Sequence, residues 1–149
     1  MKKIKSGFTL IELLVVISII GMLTALIVAN YNAARSRARD AQRKSDLNQI
    51  KRALRMYYND QTPTVYPATG EVPFGSIWQT SDGAMIYMKT VPQDPSPGET
   101  YSYQVDPSYQ DFCLWAELEN KADGDIDKSQ ARCSNCTATG DDNYVVCAD

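Results

Sequence analysis

From Phe8 to Ala29 the chain reads FTLIELLVVISIIGMLTALIVA, 22 residues in which Glu12 is the only ionisable side chain. As a helix rising about 1.5 Å per residue, this run is roughly 33 Å long, close to the thickness of a bilayer's hydrocarbon core. The helical pattern continues beyond it. Tyr31, Ala34, Ala38, Ala41 and Ser45 recur at three- and four-residue spacing, and Leu47, Ile50, Leu54 and Tyr57 extend the stripe. No proline precedes Pro63, and Gly21 is the only glycine between Phe8 and Gly70. The pattern therefore predicts one helix over 8–58, or two pieces joined near Gly21, since a glycine costs about 1 kcal/mol in a helix interior.

From Asn59 the period changes. Pro63, Pro67, Gly70, Pro73, Gly75 and Gly83 punctuate a loop-rich stretch, with Trp78, Ile86 and Tyr87 as expected anchors into the helix's apolar stripe. Pro97-Gly98 signals a turn. Residues 101–105 alternate as a strand, residues 112–118 form a second candidate, and residues 144–147 a third. The reading is an α+β ladle: a hydrophobic, then amphipathic, N-terminal helix packed on a small antiparallel sheet with loops. Its expected segments are 8–30 in the membrane, 31–58 as the amphipathic continuation and 59–149 as the globular part.

Charge sharpens this division. Residues 1–60 hold eleven Lys/Arg against four acids, a balance of +7, whereas residues 61–149 hold four against fourteen, a balance of −10. Such asymmetry means that the two ends of a chain meet different surroundings. Arg35, Arg39 and Arg43 form an i, i+4 ladder of like charge, with Asp40 spaced to pair with Lys44 and Arg43 with Asp46. The ladder is expected to meet anionic lipid headgroups or acidic surfaces of adjacent subunits, the plain alternative being a solvated helix face. Histidine is absent, which excludes Ser-His or Cys-His catalysis and His-ligated metals. No nucleophile elbow or phosphate loop occurs, so an anchored enzyme finds no support.

Basic residues flank both ends of the apolar run, so charge alone does not orient it. Cysteine does. Cys113, Cys133, Cys136 and Cys147 all lie far downstream, and an even count in a chain that passes through a membrane points to disulfides in an oxidising compartment. Residues 1–7 are thus expected in the cytoplasm and the C-terminal part outside. Three connectivities are open; the expected one joins Cys113 to Cys147, on strands that can be neighbours, and Cys133 to Cys136. A zinc site would need all four cysteines. A secretory signal peptide is the other reading of the N-terminus, but the run is longer than the usual 7–15 residues and no A-x-A-like site closes it.

Lys5-Ser6-Gly7 followed by Phe8-Thr9-Leu10-Ile11-Glu12 resembles the class III signal of type IV pilins and type II secretion pseudopilins. The resemblance covers residues 1 to about 31 strictly, and the helix to about 58 more loosely. It implies that a prepilin peptidase cuts between Gly7 and Phe8 and methylates the new amine; removing seven of 149 residues leaves 142. Glu12 would then be an assembly residue, pairing with the Phe8 amine of a neighbouring subunit, because two buried charges are tolerable only when paired. The alternative is a neutral glutamic acid near the membrane edge. The family also tends to unwind near a glycine such as Gly21 in assembled filaments. Residues Tyr87 to Pro95, with Tyr101 and Tyr103 after them, resemble the region between helix and sheet in major pseudopilins, whereas the cysteine-bearing C-terminus departs from the usual secretion-system protein.

Asp123-Gly124-Asp125-Ile126-Asp127 spaces three carboxylates at alternate positions, as calcium loops do, although its glycine and twelfth residue do not fit an EF-hand. Major pseudopilins resemble this in carrying calcium near the C-terminal sheet, which makes Asn120, Asp123, Asp125 and Asp127 candidate ligands; a solvated acidic turn is the alternative. The function implied is a structural subunit of a type IV pilus-like or pseudopilus filament. It would sit in the inner membrane before assembly, be handled by an assembly platform, and polymerise as a helical homopolymer on the cell surface. A low-copy, membrane-anchored binding module for adhesion or DNA capture is the competing reading. The acidic C-terminal part argues against nucleic acid.

Overall fold

The computed structural model describes residues 7–136 and 140–148; the basic leader, with Lys2, Lys3 and Lys5, lies outside them. One helix, α1, runs over Leu10–Asp60, unbroken at Gly21. The chain divides into two units, Met1–Ser36 and Arg37–Asp149.

In the first unit, side chains around the whole circumference of α1 are uncovered: Phe8 is 77% exposed, Leu10 80%, Ile17 58%, Ile20 56% and Ile27 65%. The polar groups within it turn back on the helix itself. Ser18 Oγ donates to the Leu14 carbonyl at 2.8 Å and Thr24 Oγ1 to the Ile20 carbonyl at 2.7 Å. Hydroxyls that bond the preceding turn present no unmet donor to an apolar surrounding.

In the second unit, β1 (Trp78–Gln79) and β2 (Ile86–Met88) form a two-stranded hairpin. Strands β3 (Ser102–Val105), β4 (Phe112–Glu117) and β5 (Asn143–Cys147) form an antiparallel sheet in the order β3-β4-β5. A short helix, α2 (Asp125–Arg132), joins β4 to β5 and packs against β5. Alternation along β4 buries Phe112, Leu114 and Ala116 against α1, where Leu47, Ile50, Ala53 and Leu54 complete the core. The other sheet face, through Val145, Cys147 and Trp115, packs on the end of α2 at Cys133. The order is helix, sheet, helix.

The structure bears out the three main strands, and differs from the sequence reading in four places. The buried face of α1 runs upward from Leu47 through Arg43 to Asp40, while Ala34, Ala38, Ala41 and Ser45 are exposed. Polar residues occupy the buried positions because carboxylates and guanidinium meet partners there. The hairpin gathers aromatic anchors, with Tyr57 5.5 Å from Trp78 and 5.3 Å from Tyr87 between ring centroids. Ile86 is not one of them: as Tyr87's immediate neighbour in β2 it points the opposite way and is 45% exposed. Residues 125–132 are helical, so the acidic loop or turn expected at 123–127 runs into α2 from Asp125 onward.

The fourth difference is the cystine pairing, which is Cys113–Cys136 and Cys133–Cys147. Cys113 and Cys147 do face one another across β4 and β5. Side chains on paired strands stand perpendicular to the sheet, however, so both sulfurs project in parallel toward the next layer. There Cys133 closes α2 and Cys136 follows in its terminal turn. Each takes one strand cysteine, which fastens the α2 segment to the sheet twice. With every cysteine in a disulfide, the four-cysteine zinc arrangement is excluded.

Candidate functional site

Gly7 and Phe8 lie in the non-helical residues directly before α1, both exposed. Thr9 caps the start of α1, its carbonyl accepting the Leu13 N–H at 3.3 Å. Glu12 reaches back: its Oε2 accepts the Thr9 N–H at 2.9 Å and the Thr9 hydroxyl at 2.6 Å, and Glu12 N–H donates to Thr9 Oγ1 at 3.3 Å. This reciprocal Thr-x-x-Glu arrangement is a capping box. The sequence carries this signal as Thr9 and Glu12 at the required spacing. Within one subunit the Glu12 carboxylate is therefore already hydrogen-bonded, with free lone pairs left for a further donor.

Arg39, Arg43 and Lys44 of α1 pair with the chain's own acids. Arg43, only 1% exposed, donates from Nε and Nη2 to Asp94 at 2.7 and 2.9 Å, from Nη1 to Asp40 at 2.7 Å and Glu119 at 3.0 Å, and from Nη2 to Ser96 Oγ at 2.8 Å. Arg39 forms a bidentate pair with Glu119. Among the described residues, no buried side-chain nitrogen or oxygen lacks a hydrogen-bond partner. The hydrogen bonds to Asp94, outweighing burial and aided by Asp40 and Glu119, hold the Arg43 guanidinium above its ordinary pKa. Hydrogen bonding from Arg39 first, then Arg43, lowers Glu119 to about 2. Asp40 pairs with Arg43 and not with Lys44, and Asp46 accepts the Tyr101 hydroxyl at 2.9 Å instead of meeting Arg43. Arg39 and Arg43 thus clamp the loop at Asp94 and the end of β4 onto α1.

The calcium candidates meet a different partner. Lys44 Nζ donates to Asp123 at 2.7 Å and to Asp125 at 2.8 Å. Burial works against the charge on Lys44, but the two carboxylates outweigh it and raise its pKa, while Lys44 lowers theirs. Asn120 is held through its main chain, its N–H donating to Asp40 at 2.9 Å. Asp127 is exposed on the first turn of α2. An ammonium stands between the two carboxylates that a calcium ion would need, so the donor set as arranged does not fit that ion; among the described residues, no group of three or more His, Cys, Asp or Glu is gathered for a metal.

An uncovered apolar helix opened by a capping box, continuing as the spine of a small sheet domain, defines a prepilin-like protein. Residues 2–28 match the prokaryotic N-terminal methylation motif. The chain is 32% identical to the type II secretion system core protein G of Pseudomonas aeruginosa over 83% of this chain and 92% of that one. It is 36% identical to the protein of the same name from Aeromonas hydrophila, over 84% and 92%. The type IV wide pilus major component PilA4 of Thermus thermophilus shares 48% identity, over 36% of this chain and 41% of its own. The chain belongs to the type II secretion core protein G family, within the prepilin-type proteins that include type IV pilins. No solved structure matches it.

Proposed function

We propose that this chain is a structural subunit of a type IV pilus-like or pseudopilus filament that polymerises through its N-terminal helix. The observation that carries the reading is the bare apolar surface of the first unit, where the described large side chains between Phe8 and Val28 are 46–80% exposed. So much uncovered hydrocarbon requires either lipid or other subunits, and a filament subunit uses each in turn. Core protein G relatives covered over nine-tenths of their length support the same role.

Residues 1–7 are the leader, removed by a prepilin peptidase at Gly7–Phe8, where the backbone is exposed and not yet helical. Residues 8–30 span the inner membrane before assembly, and the acidic domain lies outside, where its disulfides persist. An inner-membrane platform then adds the subunit to the filament. The role is structural rather than enzymatic.

Intact-mass analysis of the mature protein tests this reading. A chain beginning at a methylated Phe8 is expected, and Gly7→Val is expected to block processing while leaving membrane insertion intact. A mature chain starting at Met1 or near Ala29 overturns it. Filament role is read separately, by immunoblotting sheared surface fibres or cross-linked periplasmic filaments for the processed chain.

A further inference from the structure

We propose that Lys44 is the resident cation of the Asp123–Asp125 loop and keeps that loop closed to divalent metal ions. Alternate carboxylates at Asp123, Asp125 and Asp127 are a spacing that calcium loops use. The first two converge on one Lys44 ammonium, each within 2.8 Å. This lysine is no surface pair drifting in solvent. Its side chain is 19% exposed, it arrives from α1, 79 residues earlier than Asp123, and its ammonium lies 5.6 Å from the centre of the Tyr144 ring on β5.

The rest of the loop is fixed by the same helix. Asp40, one turn before Lys44, accepts the Glu119 N–H at 3.0 Å and the Asn120 N–H at 2.9 Å. Asp123 Oδ1 accepts the Asp125 N–H at 3.0 Å, which closes the turn into α2. Beyond α2, Cys133 is bonded to Cys147. Two residues of α1 four positions apart and a disulfide thus restrain the segment that a bound ion would otherwise order.

Calcium takes six to eight oxygens at about 2.3–2.6 Å. The ammonium stands where the lone pairs of Asp123 and Asp125 converge, and a divalent ion entering there would meet a like charge at contact distance. Metal could enter only after Lys44 had surrendered both carboxylates. The inference concerns the second unit alone and does not depend on filament assembly.

The test uses the full chain in detergent micelles, with calcium titrated calorimetrically and thermal unfolding followed in calcium and in chelator. The wild type is expected to show no calcium heat and the same Tm in both. Lys44→Met, which removes the charge and keeps the stem, is expected to melt lower in chelator. It should then regain Tm in calcium and bind it at least tenfold more tightly than the wild type. Lys44→Arg should behave like the wild type, and Lys44→Met combined with Asp125→Asn should lose the calcium response. Calcium binding or a calcium-raised Tm in the wild type overturns the proposal, as does a folded Lys44→Met chain indifferent to calcium. If Lys44→Met does not fold, the wild-type titration decides alone.

Discussion

Arg43 on α1 sets Nε and Nη2 on the two carboxylate oxygens of Asp94, at 2.7 and 2.9 Å across 51 residues of sequence, and both side chains are all but inaccessible to water. Paired forks of this kind are among the stronger hydrogen-bonded contacts, and they fix direction as well as distance. The remaining guanidinium donors reach Asp40, Glu119 and Ser96. A charge that would be prohibitive alone thus becomes the joint between helix, loop and sheet. Arg43→Met is expected to cost about 3–5 kcal/mol, because it strands Asp94 and Asp40 as buried carboxylates. Arg43→Lys should recover only part, lacking the fork. Urea unfolding followed by tryptophan fluorescence measures both; an Arg43→Met midpoint equal to that of the wild type would show that the network carries no stability.

Stability should fall in acid over a defined window. Glu119, ordinarily near 4.5, is held at about 2 by its hydrogen bonds to Arg39 and Arg43, and Lys44 lowers both Asp123 and Asp125. A depressed carboxylate contributes stability above its unfolded value, and that contribution is lost as pH falls through the folded one. Asp46 acts in the opposite sense. Burial raises its pKa despite the Tyr101 hydroxyl, so it favours the folded state at low pH and offsets part of the loss. Unfolding midpoints should therefore decline from about pH 4.5 toward pH 2, and Glu119→Gln should flatten the decline. An unchanged slope in Glu119→Gln would assign the acid sensitivity to other groups.

Proteolytic fragments of the non-reduced protein are expected to carry Cys113 linked to Cys136 and Cys133 linked to Cys147. These bridges close sequence separations of 23 and 14 residues, for which chain entropy allows about 3 kcal/mol each. Replacing Cys133 and Cys147 together with serine should loosen α2 while leaving β3 and β4 paired. Hydrogen exchange would show this as lost protection confined to residues 125–132 and β5. A fragment joining Cys113 to Cys147 would return the pairing to the cross-strand alternative.

These contrasts show where sequence stops informing structure. The apolar run from Phe8 and the stripe at Leu47, Ile50 and Leu54 specify α1 because their period is local and their side chains have one possible use. Strands β3, β4 and β5 are legible for the same reason. Strands β1 and β2 escape because two- and three-residue strands carry no measurable alternation; Trp78 and Tyr87 are recognisable only as bulky groups needing cover. The helix α2 escapes because Asp125 to Arg132 is polar apart from Ile126 and Ala131, and its burial depends on Ser129, whose hydroxyl accepts the Val145 N–H at 3.0 Å. Arg39, Arg43 and Lys44 look like a free basic face until the acids of the loops fold back onto them. Pairings spanning 51 to 81 residues have no local spacing to betray them.

Glu12 gives the sharpest test of assembly. In one subunit its carboxylate is satisfied by Thr9 at 2.9 and 2.6 Å, so the isolated helix has a reason of its own to keep an acid there. Losing the cap alone costs about 0.5–2 kcal/mol, and Thr9→Ala isolates that loss. We expect Thr9→Ala to be processed and still to enter filaments. Glu12→Val removes the carboxylate half of the capping box and leaves the residue-12 N–H on Thr9 Oγ1, yet eases insertion into lipid by about 2–3 kcal/mol, so its monomer should reach normal levels in the membrane. On the proposed pairing of Glu12 with a neighbour's Phe8 amine, the same change leaves that amine without a counter-charge in the filament, at about 3–5 kcal/mol for a buried pair. Glu12→Val should accordingly be cleaved, accumulate in the inner membrane and be missing from sheared or cross-linked filaments. Filaments from a strain carrying only Glu12→Val, equal in amount to those of Thr9→Ala, would reduce Glu12 to a helix cap.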